Sequence, residues 1–307
     1  LMSDVSFARL GKTTLSSIFF TSNIYFWREW SYFDISSLNK PLLHTWSLSL
    51  EMQFYLLFPI FLVSIKFLKK QINIIYKLLF ITILLIFLTE LVINEKKVAT
   101  FYLLPFRFSE FLIGSIGYYY QKNYRTLKLN NNFIFIISFG FLLFLITYYY
   151  DFNTKFPGLN SLLPCVATLI LILHKENNLS KKLLQNRVFL FFGNISYSLY
   201  LIHWPVYVFY RFYIFREPSN FEKFSLVIFS IIFAYLISRY IENILRKKID
   251  KKSNYFLSFS FVVIAICSIL VFINNGYDFR IKNKKEFYDN SLTTFNFFKD
   301  SNKEKLF

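Results

Sequence analysis

Charge is what this chain has least of. Only 17% of its 307 residues are Asp, Glu, Lys or Arg, against roughly 25% in a soluble domain. Acid is scarcer still: 18 Asp and Glu stand against 35 Lys and Arg, for a formal net charge of +17. The charges are bunched between long apolar runs, in a chain that is 55% hydrophobic and 22% aromatic. Such bunching excludes an ordinary soluble domain and marks a polytopic membrane protein. It also accounts for the basic excess, because Lys and Arg collect in cytoplasmic loops. Nucleic-acid binding would need a basic face on a soluble domain, and the sequence offers none. Cysteine is nearly absent. Cys165 and Cys267 both lie in apolar runs, which argues against a disulfide framework or a metal site. Histidine is limited to His44, His174 and His203. The chain opens on Leu1 without a signal-peptide pattern, which leaves open whether it is a fragment or starts at Met2.

What is there is a succession of apolar stretches. The expected fold class is all-α: a polytopic membrane helical bundle of about eight spans plus one short interfacial or re-entrant helix. Residues 1–12 are mixed and non-spanning. Residues 13–27 are apolar but shorter than the roughly 20 needed to cross. They predict the interfacial helix, with Tyr25, Trp27 and Trp30 at the headgroup level. Spans follow at 48–68, 75–93, 101–120, 131–150, 158–174, 191–213, 222–242 and 254–273. Short connections predict antiparallel neighbours. Lys and Arg enrich every second loop, after the first, third, fifth and seventh spans. By the positive-inside rule those loops are cytoplasmic. The expected organisation is an extracytoplasmic segment 1–47, a membrane domain 48–242, a cytoplasmic loop with the final span 243–273, and an extracytoplasmic, poorly ordered tail 274–307. The seven Lys and Arg of that tail argue mildly the other way.

Polar groups inside the apolar runs are the candidates for chemistry, since a charge in hydrocarbon costs roughly 2.5–3.5 kcal/mol at mid-helix. The first span opens on Pro41-Leu-Leu-His44-Thr-Trp46-Ser47-Leu-Ser-Leu-Glu51-Met52-Gln53-Phe-Tyr55. Glu51 and Tyr55 share a face, with Ser47 one turn earlier. Alternatively Ser47 is a helix N-cap, Trp46 an interfacial anchor, and Glu51 shallow enough to be hydrated. In the third span Arg107 and Glu110 stand at i and i+3, either neutralising each other or leaving Arg107 to bind an anionic group. Gly114 and Gly117 allow close helix contact there. In the sixth span Ser196, Tyr200 and His203 form one polar stripe expected to face the interior, although a lone His is more often structural. Glu242 and Arg246 read as a helical ion pair at the cytoplasmic edge. At about 1.5 Å per residue, Glu51, Arg107 and His203 reach similar depths, which predicts one polar pocket opening outward.

At these residues the chain resembles the acyltransferase 3 family of membrane proteins, which acylate cell-surface polysaccharides and related acceptors. The motifs are Ser22-Asn23 with Phe26-Trp27 and Tyr32-Phe33, the stretch from Pro41 to Tyr55, Arg107 with Glu110-Phe-Leu-Ile-Gly114, Leu163-Pro164, Gly193 through Pro205, and Ile241-Glu242 with Arg246. They cover nearly the whole chain, in order. Met52 departs from the family's second acid after Glu51, Ile202 stands where Trp is frequent, and Asn243-Ile244 lacks the usual Pro.

The resemblance implies an enzyme of the inner membrane. It would move an acyl group, acetyl by expectation, from a cytoplasmic donor such as acetyl-CoA to hydroxyls of a polysaccharide or lipid-linked sugar. No bound cofactor and no metal is implied. The family's first three spans, with the histidine regarded as catalytic, have no counterpart here. The last span with Gly276-Tyr-Asp-Phe-Arg280 resembles the linker to an SGNH esterase-like domain. The chain is thus expected to be truncated at both ends and inactive alone. Glu51 and His203 are the supporting catalytic candidates; His44, Trp46, Ser47, Arg107, Glu110, Ser196 and Tyr200 would shape the acceptor site. On physics alone two rivals stand: a transporter or flippase for lipid-linked saccharide, weakened by the lack of a clear inverted repeat, and a structural membrane subunit.

Overall fold

The computed structural model describes residues 2–29, 39–67, 73–124, 132–151, 154–173, 178–243, 245, 251–277 and 279. Among them the regular elements are all helical. The expected tail from 280 onward, Trp30, the Tyr32-Phe33 motif, His174 and Arg246 lie outside the described residues.

The single interfacial helix expected over 13–27 is instead two helices, α1 (Asp4–Ile18) and α2 (Ser22–Glu29). Helix α1 starts earlier because Ser3 caps it, its hydroxyl accepting from the Ser6 amide at 3.1 Å. It ends where Phe20 turns left-handed (φ 54°) and the Thr21 amide reaches back to the Ser16 carbonyl at 2.7 Å. No Gly or Pro announces that break.

Helices α3 (Thr45–Phe67), α4 (Ile74–Ile93), α5 (Lys97–Tyr102), α6 (Leu104–Tyr124) and α7 (Asn132–Phe144, continued by a π turn over Leu145–Tyr149) come next. They are followed by α8 (Leu159–Leu173), α9 (Asn178–Leu184), α10 (Arg187–Ile214), α11 (Asn220–Ile237, continued by a π turn over Ser238–Glu242) and α12 (Lys251–Ile273). Each of the eight expected spans has its helix. Among the described residues five segments are long and apolar enough to cross a membrane: Thr45–Ile65, Ile74–Ile93, Asn132–Tyr149, Asn220–Glu242 and Tyr255–Ile273. Helix α8 is apolar but has only 15 residues. Helices α6 and α10 are long enough, at 21 and 28 residues, and carry the polar groups singled out above.

The chain forms two compact units, residues 1–49 with 191–307 and residues 50–190. In the second, α4 lies along α6, and α6 and α7 pack on α8. Ile65, Leu78 and Leu112 form its core, ringed by Phe58, Phe61 and Phe108. Lipid tails are as apolar as Leu, so such packing holds by interdigitation. Gly117 makes the expected close contact: a Cβ there would meet Leu169 Cδ1 at 2.1 Å, whereas Gly114 faces open space.

In the first unit α1 lies along α12. Gly276, just past α12, has φ +75°, and a Cβ on it would stand 2.0 Å from the Asp4 carbonyl oxygen. Only glycine fits both demands. Left-handed strain alone is worth about 1–2 kcal/mol for an L-residue, so Gly276→Ala should lower the melting temperature of the detergent-solubilised protein. An unchanged value would show that this turn is not tied to α1.

Candidate functional site

In the first unit, three segments meet around two imidazoles. The chain before α3 is held by Trp204, whose indole Nε1 donates to the Lys40 carbonyl at 2.8 Å. This seats His44, 9% exposed, against α10. Its ring centroid lies 5.4 Å from that of Tyr200 and 5.8 Å from that of His203, both edge-on. Neither ring nitrogen of His44 has a well-formed hydrogen bond. Its pKa falls to about 4, first because burial disfavours the cation and then because of His203's charge; the Leu201 backbone opposes weakly. His44, just outside the span that follows, is therefore neutral at neutral pH.

Tyr200 fixes this arrangement. Its hydroxyl donates to the His44 carbonyl at 2.5 Å. The Ser47 hydroxyl, 2.5 Å away, therefore donates to the Tyr200 oxygen. Ser47 is the third residue of α3, not its N-cap. His203 is exposed, and its Nδ1 faces the carbonyls of Leu199 at 3.1 Å and Tyr200 at 2.8 Å. Carbonyl oxygens only accept, so Nδ1 carries the hydrogen and the neutral ring keeps a lone pair on Nε2. Trp46 is half-buried. Ser196 does not join the cluster: it is exposed and donates to the Gly193 carbonyl at 2.9 Å. The expectation that the whole stripe faces the interior is corrected for this residue.

Thr45, next to His44 in sequence, joins a chain of hydroxyls. Ser17 meets Thr45 at 2.8 Å, Thr45 donates to Ser22 at 3.1 Å, and Ser22 meets Ser49 at 2.7 Å. Sequence reasoning gave Thr45 and Ser49 no role of their own; the Ser22-Asn23 motif and the stretch from Pro41 to Tyr55 that holds both were the signal. Glu242 accepts from Ser198 at 2.6 Å. Arg211, 6% exposed, pairs at 2.8 Å with Glu217, whose side chain is 39% exposed.

The second unit holds the other candidates. Arg107 and Glu110 pair at 3.0 Å, with side chains 13% and 18% exposed. The guanidinium lies over the Phe156 ring at 4.8 Å and near the Phe101 ring at 5.7 Å, a cation–π setting. Glu51 is exposed, with no hydrogen bond or ion pair among the described residues. Glu90, unremarked in its apolar run, accepts the Leu159 amide at 3.0 Å and so ties α4 to the start of α8. Of the three residues expected to share one pocket, His203 belongs to the first unit, and Glu51 and Arg107 to the second. Among the described residues no three His, Cys, Asp or Glu could hold a metal ion.

Residues 7–241 match the family model described as an acyltransferase domain, acyltransferase 3. Similar curated proteins include an uncharacterized protein of Haemophilus influenzae, 33% identical over 54% of this chain and 71% of its own length. A putative O-acetyltransferase of Staphylococcus aureus strain MRSA252 is 26% identical over 89% of this chain. The O-acetyltransferase OatA of Staphylococcus aureus strain NCTC 8325 is 25% identical over 88%. The chain spans about half the length, 48%, of each of these two. No solved structure matches.

Proposed function

The chain belongs to the acyltransferase 3 family, and from that premise we propose that it moves an acyl group, acetyl, from a cytoplasmic donor such as acetyl-CoA to a hydroxyl of cell-surface polysaccharide or lipopolysaccharide. It is a membrane acyltransferase, here read as a multi-pass protein of the inner membrane with residues 1–47 outside. The observation that carries the reading is the His44–His203 pair, 5.8 Å apart on a hydrogen-bonded mount.

Acyl transfer to a hydroxyl needs a base for its proton. A side chain serves best with a pKa near the working pH. His44, at about 4, is too weak a base at neutral pH and acts as a neutral partner that orients the hydroxyl. His203 offers Nε2 with its other nitrogen already engaged. The hydroxyl proton passes to Nε2, the oxygen bonds the acyl carbon, the acyl carbon–sulfur bond breaks, and the departing thiolate takes the proton back from Nε2. Ser47 and Tyr200 hold the mount and Trp46 flanks it. Ser196, exposed, lies further along the acceptor wall. Glu51 has its carboxylate available for a sugar hydroxyl. Arg107 and Glu110 already satisfy each other within the second unit.

Membranes carrying the protein, given labelled acetyl-CoA, should place label on polysaccharide, and Glu51→Gln should reduce that label while export of the polymer persists. Unlabelled polymer, or export that fails with Glu51→Gln, would favour a transporter of lipid-linked saccharide.

A further inference from the structure

The bend between α10 and α11 is tied back onto α10 by one carboxylate, which the mechanism above does not use. Glu217 accepts from the Tyr207 hydroxyl at 3.2 Å through one oxygen and pairs with Arg211 at 2.8 Å through the other. Tyr207 and Arg211 stand at i and i+4 on α10, so both reach that carboxylate from one face. The Arg211 guanidinium also lies 5.8 Å from the centre of the Tyr207 ring. The bend is held at its far end too. Ser219 and Glu222 form a capping box at the start of α11. Arg216 pairs with Glu222 at 2.6 Å and donates to the Glu217 carbonyl at 3.1 Å. Glu217 is thus presented to Tyr207 from a braced backbone.

One turn before Tyr207, the Trp204 ring lies beside it, with centroids 5.9 Å apart and planes tilted by 33°. The indole Nε1 donates to the Lys40 carbonyl at 2.8 Å. The same carbonyl accepts the Leu43 amide at 3.1 Å, so the indole grips the turn whose next residue is His44. Tyr207, held at its hydroxyl and beside the guanidinium, limits how far the indole can swing. We propose that Glu217 is a positioning residue: through Tyr207 and Trp204 it fixes the turn that sets His44 against His203. The effect on rate rests on the acyl-transfer reading; the link from Glu217 to the indole does not.

The test begins with the full chain in detergent, labelled with 5-fluorotryptophan, in which the fluorine resonance of Trp204 is assigned by its loss in Trp204→Phe. Glu217→Ala should move that resonance and leave the one from Trp27 in place. Glu217→Gln should leave both near the parent, since glutamine can still accept from Arg211 and donate to the Tyr207 oxygen. In membranes Glu217→Ala should lower kcat about tenfold per folded protein, less than the roughly hundredfold that a 1 Å misplacement can cost. The acceptor KM should stay within about twofold, because the acceptor does not touch the bend. The double variant Glu217→Ala with Trp204→Phe should be no slower than Trp204→Phe alone, whereas independent effects would multiply. A Trp204 resonance that Glu217→Ala leaves unmoved overturns the proposal, and so do losses that multiply. If Glu217→Ala fails to fold, Tyr207→Phe gives up only the hydroxyl bond and carries the same expectations. A moved resonance with undiminished transfer confines Glu217 to holding the bend and overturns its positioning role. A moved resonance in a protein that transfers no acyl group leaves the link standing and removes the acyl-transfer reading.

Discussion

Replacing Arg107 with alanine lowers stability by about 3–5 kcal/mol, the cost of leaving one member of a buried ion pair alone. Glu110, 18% exposed, would remain with its cation gone, and the Phe156 and Phe101 rings would lose the guanidinium, itself 13% exposed, that lies over them. The double replacement Arg107→Met with Glu110→Leu removes both charges and keeps much of the volume, so it should recover most of the loss. Melting temperatures in detergent test both statements. A single variant that melts like the parent would mean that water reaches Glu110. The double variant also decides between the two roles weighed for Arg107. Stable and active, it shows a packing brace; stable and inactive, it shows that the guanidinium meets an anionic group during turnover.

That choice of roles could not be made from spacing. The i, i+3 relation fixed that Arg107 and Glu110 were able to meet, and they do. It carried no information about the aromatic rings of Phe101 and Phe156, which arrive from other segments. The spans were legible for a simpler reason: runs such as Ile74–Ile93 are apolar on every side, and length alone identifies them. Helix α10 was legible as one face holding Ser196, Tyr200 and His203. Spacing defines a face but not how far along it a neighbouring segment reaches, so Ser196 was grouped with residues it does not join. His44 contacts Tyr200 from 156 positions away, a pairing that only the fold supplies. The break between α1 and α2 was hidden because Phe20 adopts a left-handed backbone with no glycine to mark it. Hydroxyls such as Thr45 and Ser49 gave no pattern of their own, since Ser and Thr in helices usually bond their own turn.

Losing the His203 imidazole should cost more activity than any other single change in this site. A positioned general base contributes about a hundred- to ten-thousand-fold, and His203→Ala removes the only nitrogen in the pair with both a fixed tautomer and an open lone pair. His44→Gln should cost less in rate, because glutamine still offers a polar neighbour, and should be visible instead in the response to acid. An unfolded His44 takes up a proton near pH 6.5, whereas the folded one resists until about pH 4. Between those values the unfolded state binds more protons, so stability that is full above 6.5 declines as the pH falls and levels off below about 4. The loss accumulates to about 3 kcal/mol for a shift of this size. His44→Gln should flatten that decline, and His203→Ala should shrink it by removing the neighbouring charge that helps to hold His44 neutral. Melting temperatures between pH 7 and pH 4 read this directly, apart from any assay of transfer. If the parent and His44→Gln lose stability in parallel, His44 is hydrated and cannot be the neutral partner that orients the acceptor hydroxyl. If the slopes separate while His203→Ala keeps full transfer, the imidazole pair is a structural mount and the base must be sought elsewhere.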